Sequence, residues 1–144
     1  MKILVSACLL GINCKYNALN NYNIDVINYI KKHEYLPICP EQLSGLTTPR
    51  ACMEIRGGKI FDEEGNDYTK KLNNGCNEVQ KYIEIFKPDL AILKSKSPTC
   101  GYGKIYDGTF SKTVIQGNGV VASLIERNNI KIITEDNLRN LERD

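Results

Sequence analysis

The 144-residue sequence holds a single histidine, contains no Cys-x-x-Cys pair and has no apolar run near the roughly 18 residues that a membrane span requires. A local zinc-binding motif is therefore absent, and so is a candidate transmembrane helix. Charge of one sign is also lacking: 19 basic residues face 17 acidic ones, for a net charge of +2. This balance gives no broad electrostatic drive toward nucleic acid or a membrane surface and leaves room only for a small cationic patch.

What the chain does have is six cysteines. The opening stretch, Met1 to Ala7, is one basic residue and a short apolar run, too brief for a secretory core, so a cytoplasmic location is expected. Thiols stay reduced there, and dispersed cysteines point to metal or catalysis. The even count keeps a disulfide framework as the formal alternative. A chain of this length is expected to form one domain, 1–144, burying about two thirds of the surface of its unfolded form without cross-links.

Two hydrophobic periods alternate along the chain. Lys2 to Ser6 predicts a strand; Ile24, Ile27 and Ile30 predict one face of a short helix capped by Asn23; Tyr35 to Ile38 predicts a second strand. Residues 39 to 66 carry Pro40, Gly45, Pro49, Gly57 and Gly58 and are expected to form a long loop, with a hairpin around Glu63-Glu64-Gly65-Asn66. Thr69 is placed to cap a helix from Lys70 to Phe86, which Lys87-Pro88-Asp89 ends before a third strand, Leu90 to Lys94. A glycine-rich irregular stretch, Ser95 to Gly119, precedes a helix holding Val120, Val121, Leu124 and Ile125, a fourth strand Ile130 to Ile133, and a closing helix from Glu135 to Arg143. Within that stretch, Tyr106-Asp107-Gly108-Thr109 predicts a hairpin turn centred on Asp-Gly. The order favours an α/β fold: a single-domain, Rossmann-like three-layer sandwich with a mainly parallel sheet of about four strands and helices on both faces.

In such a sheet the carboxyl ends of the strands lie along one edge, where ligands bind. Cys8, Cys39 and Cys100 stand just beyond the first three strands, so thiols far apart in sequence could meet at one site. Three thiolates suit an iron–sulfur cluster with one iron lacking a protein ligand, because a cubane normally takes four. Buried, inert cysteines explain the same residues. Cys14, six positions after Cys8, could reach the same edge and act as a fourth ligand; Cys52 in the long loop and Cys76 on a helix have weaker claims.

Several separated motifs resemble the DUF523 family, whose characterised members are thiouracil desulfidases. They are Ser6-Ala7-Cys8-Leu9-Leu10-Gly11, Lys15-Tyr16-Asn17, Cys39-Pro40-Glu41, Gly45-Leu46 with Pro49-Arg50, Glu54-Ile55, Ile92-Leu93-Lys94, Ser97-Pro98-Thr99-Cys100-Gly101 and Ile105-Tyr106-Asp107-Gly108-Thr109-Phe110. The likeness runs from about residue 2 to residue 134. It implies a [4Fe-4S] cluster on Cys8, Cys39 and Cys100, with the fourth iron open to the sulfur of a thiolated pyrimidine. By matching motifs, the catalytic positions fall on Glu41, for proton transfer, and on Ser97, which opens the motif that carries Cys100 and is placed to hydrogen-bond the pyrimidine or the attacking water. Thr99 stands where serine is more usual, and keeps the hydroxyl.

The resemblance implies non-redox conversion of thiouracil, 4-thiouridine or its nucleotides to the oxo form, with release of sulfide. Soft thiolates suit iron, and iron suits sulfur over oxygen. Without the resemblance, Glu41 is equally a surface acid after Cys39, and Ser97 a turn cap. Arg50, Lys94 and Lys96 border the expected crevice, either as solvated surface charges or as contacts for a substrate phosphate. A small-molecule thiopyrimidine suits the balanced charge better than whole transfer RNA. Two rivals stand beside the enzyme: a non-catalytic iron–sulfur or metal-binding module for sensing or delivery, and a thiol hydrolase using Cys8 or Cys39, which lacks a base because His33 is remote from every motif.

Overall fold

In the computed structural model, which describes residues 1–138, the chain runs β1 (Lys2–Ser6), α1 (Ile24–Ile30), β2 (Glu34–Ile38), α2 (Pro40–Leu43), β3 (Met53–Arg56), β4 (Lys59–Asp62), α3 (Thr69–Phe86), β5 (Leu90–Leu93), β6 (Lys104–Tyr106), β7 (Val114–Gln116), α4 (Val120–Arg127) and β8 (Lys131–Thr134). Four strands form one parallel sheet in the order β2-β1-β5-β8. The chain therefore moves to one side of β1 first and to the other side afterwards. Right-handed crossovers then place α1 on one face and α3 and α4 on the other.

Side chains alternate across each strand, and both sides of this sheet are covered, which accounts for the continuous apolar runs. Leu4, Ala91, Leu93 and Ile132 pack against Val79 and Ile83 of α3 and Val121, Ala122 and Ile125 of α4. Ile3, Val5, Leu90, Ile92 and Ile133 face the other way, onto Val26 and Ile30 of α1 and onto Leu138. The three-layer α/β expectation holds.

Local details depart from the sequence reading in several places, among them α2, which forms inside the expected long loop 39–66. Asn23 does cap α1, accepting from the backbone N–H groups of Asp25 and Val26 at 3.0 and 3.1 Å. Thr69 does not cap α3: it lies inside the first turn, and its Oγ1 accepts from the Ile60 N–H of β4 at 3.0 Å. The first hairpin pairs β3 with β4 across Gly57-Gly58, both at positive φ, while Glu63 to Asn66 form a turn on Asp62 instead. The second hairpin pairs Tyr106 with Val114, so Asp107-Gly108 opens a loop spanning 107–113 and does not form a two-residue turn. Beyond β8 a 3₁₀ turn covers Glu135–Asn137; the remainder of the expected closing helix lies outside the described residues. Among the described residues no helix is long and apolar enough to cross a membrane.

Candidate functional site

The carboxyl ends of β1, β2 and β5 each deliver a cysteine. Cys8 lies in the 3₁₀ turn Ala7–Leu10 directly after β1. Cys39 is the extended residue that starts α2, and Cys100 sits in the turn after β5. All three line one cavity of about 430 Å³, with Glu41, Ser97, Arg50, Lys94 and Lys96 also in its walls. A second depression, about 760 Å³, lies at the opposite edge of the sheet among Met1, Lys2, His33 and Asp89 and carries no thiol.

The thiols influence one another. Burial pushes the Cys100 thiol up to about 12, against hydrogen bonds from Ser6 and Thr99. Cys8 is raised for the same reason, with Asn21 hydrogen-bonded to it and Cys39 nearby. Cys39 behaves oppositely and is lowered, chiefly by its side-chain hydrogen bond with Cys14, with help from the Gln42 backbone and the charge of Arg50. Cys14, almost wholly buried, is raised correspondingly. None of the six cysteines is bridged, so the disulfide framework does not form. Cys52 is exposed at the cavity rim, and Cys76 packs against the core on α3.

Among the described residues, no three Cys, His, Asp or Glu side chains stand as the ligands of a single metal ion. Three all-sulfur donors framing one cavity suit a larger, thiophilic group such as an iron–sulfur cluster.

Glu41 is the second residue of the short helix α2, and its Oε2 is 2.8 Å from Arg50 Nη2. The same Nη2 donates to the Cys14 carbonyl at 2.7 Å, while Nη1 donates to Thr48 Oγ1 at 3.0 Å. The Arg50 side chain is 5 % exposed, so this guanidinium is part of the wall. Lys94 is committed in a similar way: its Nζ lies 3.0 Å from Glu135 Oε2 and donates to Ser95. Glu135 also accepts from the Ser95 N–H at 2.7 Å, binding the end of β8 to the turn after β5. Periodicity gives no sign of Glu135, because its partners stand 40 residues away.

Ser97 has a local role in the structure. Its Oγ accepts from the N–H groups of Thr99 and Cys100, both at 3.1 Å, and is 2.8 Å from Thr99 Oγ1. Thr99 Oγ1 in turn points at Cys100 Sγ, 3.8 Å away. The hydroxyl retained at position 99 thus contacts a site sulfur. Lys15, Lys112, Tyr16, Tyr106, Phe110 and Glu54 complete the part of the cavity that sequence spacing did not assemble.

Residues 3–137 match the family model described as 2-thiouracil desulfurase. The chain is 36% identical to the uncharacterized protein YbbK of Bacillus subtilis (strain 168), over 96% of this chain and 99% of that one. Its fold is similar to a solved structure titled as a [4Fe-4S]-dependent thiouracil desulfidase, TudS, with a TM-score of 0.90 at 33% identity, covering 98% of this chain and 95% of the other.

Proposed function

The chain belongs to the 2-thiouracil desulfurase family, and on that premise we propose that it replaces C=S by C=O in a thiolated pyrimidine, releasing sulfide with the aid of a [4Fe-4S] cluster on Cys8, Cys39 and Cys100. The observation that carries this reading is the meeting of three thiols, from three separate strand ends, in one cavity whose wall also holds Glu41. When bound, the cluster supplies a soft Lewis acid for the thiocarbonyl sulfur.

The chain's own residues do the rest. Replacing sulfur by oxygen requires water to add at the ring carbon, and a group must take its proton and later return one. Glu41 is that group: its carboxylate lines the cavity, two residues from Cys39, and is clamped by Arg50. Arg50 fixes the position of Glu41 and leaves little freedom for its own contact with substrate. Ser97 and Thr99 shape the turn that presents Cys100. With Arg50 and Lys94 held by carboxylates, Lys96, together with Lys112 in the same wall, is left to meet a phosphate if the substrate is a nucleotide. A cytoplasmic location suits reduced thiols.

Anaerobic reconstitution followed by sulfide-release assays on 2-thiouracil and 4-thiouridine monophosphate tests the reading. The wild type is expected to take up iron and release sulfide, and Cys100→Ser to lose the cluster absorbance; iron retention by that variant overturns the ligand set. The rival, a non-catalytic module, rests on Cys14 beside Cys39 as a fourth thiol. It is favoured if Cys14→Ser loses iron and the loaded wild type releases no sulfide.

A further inference from the structure

The loop between β6 and β7 is held far more firmly than a connection requires. An Asp-Gly turn joins two antiparallel strands with two residues, yet here residues 107–113 intervene. Their anchor is Glu54 of β3, a carboxylate only 7% exposed. Its Oε1 accepts from the Gly108 N–H at 3.0 Å and the Phe110 N–H at 3.2 Å. Gly108, at φ 91°, lies so close to β3 that a Cβ would stand 2.7 Å from the Ile55 carbonyl and 2.6 Å from Arg56 Cβ. Asp107 ties the same loop internally, accepting from the Thr109 N–H at 2.9 Å and hydroxyl at 2.6 Å.

The outcome of this anchoring is Phe110, an aromatic residue at φ 58°, a left-handed conformation that bulky residues seldom adopt. It lines the cavity that holds the three thiols. Burying a carboxylate and straining an aromatic backbone are both costly unless the surroundings impose them. The aliphatic side chains in the wall, Ala7, Ile38, Pro40, Met53 and Pro98, offer a flat heteroaromatic ring no aromatic face. Two tyrosines also border the cavity, but Tyr16 is engaged under the Lys15 ammonium, 5.6 Å from its ring centre, and Tyr106 belongs to the paired strand β6.

From these observations we infer that Phe110 is the face on which the pyrimidine ring stacks, and that Glu54 is the positioning residue that holds it there. The inference rests on the proposed desulfidase reading and identifies how that site selects planar six-membered rings. A saturated ring carrying the same carbonyl and N–H groups lacks the π face and binds poorly.

The test uses the anaerobically reconstituted enzyme. Phe110→Ala is expected to raise KM for 2-thiouracil about tenfold or more, the size of a lost base–aromatic stack, with iron content unchanged. Glu54→Ala is expected to raise KM in the same direction, and to add little in the Phe110→Ala background; Glu54→Gln, which keeps an acceptor oxygen, restores most of the binding. Because the chain has no tryptophan, Phe110→Trp introduces a lone indole. Its emission is expected to change saturably with uracil and far less with dihydrouracil. An unchanged KM in Phe110→Ala, or indole emission indifferent to uracil, overturns the inference while wild-type sulfide release leaves the family reading intact. If the wild type releases no sulfide, that reading fails, and the uracil titration still decides whether the ring stacks.

Discussion

Arg50 gives one nitrogen to two oxygens, the Glu41 carboxylate and the Cys14 carbonyl, and thereby joins the loop after β1 to the start of α2. Its Nε is buried without a partner, an uncommon state for so strong a donor and a sign that the side chain is fixed by its other nitrogens. If Glu41 moves the proton, Glu41→Gln is expected to lower kcat about 100-fold or more with modest change in KM. Arg50→Met acts through the same carboxylate, so it is expected to lower kcat by about tenfold or more alone and to add little in the Glu41→Gln background. A double-mutant cycle on loaded enzyme checks this. Full additivity would separate the two residues and assign Arg50 to structure alone.

At the scale of elements, the turn that presents Cys100 is built onto the start of α4. The Pro98 carbonyl accepts from the Val120 N–H at 3.1 Å, and the Thr99 carbonyl from Val121 and Ala122 at 2.9 and 3.2 Å, which satisfies N–H groups that a helix start leaves open. Gly119 makes this approach possible, since a Cβ there would collide with the Thr99 carbonyl and lie 3.0 Å from the Cys100 N–H nitrogen. Gly119→Ala is therefore expected to push the turn off the helix and lower both melting temperature and iron content, read by thermal unfolding and iron assay. A fall in stability with full iron loading would show that the turn keeps its shape without the helix. The helix α2 is the corresponding device for Cys39 and Glu41: Pro40 at its first position suits the helix start, and Gly75 of α3 lets it approach, with the Pro40 carbonyl 2.9 Å from where a Cβ would stand.

Across the whole molecule, strand order decides which loops meet. Because β1 lies between β2 and β5, the three segments bearing Cys8, Cys39 and Cys100 leave adjacent strands at the same edge. The sheet is buried on both faces, so its apolar side chains support this edge directly. Leu93, fully buried at the end of β5, is expected on replacement by alanine to cost about 2–5 kcal/mol, measured as a lower urea midpoint with unchanged slope. A loss well under 1 kcal/mol would mean that the core collapses around the site and that β5 is not its rigid support.

The sequence by itself determined the parallel α/β architecture, the ends of its main helices and strands within a residue or two, and the three cysteines that follow the strands, because period and punctuation are local properties of the chain. Its motif resemblance also pointed to the family that the comparisons show. The tertiary structure alone decided which charges are already taken: Arg50 by Glu41, Lys94 by Glu135. It also decided that Cys14 stands against Cys39, that α2 forms within an apparent loop, and that Glu54 holds Phe110 over the cavity. These pairings join segments up to 56 residues apart, and α2 is a single turn too short to show a period. No repeat in the sequence records them; they exist only once the strand ends have been brought to one edge.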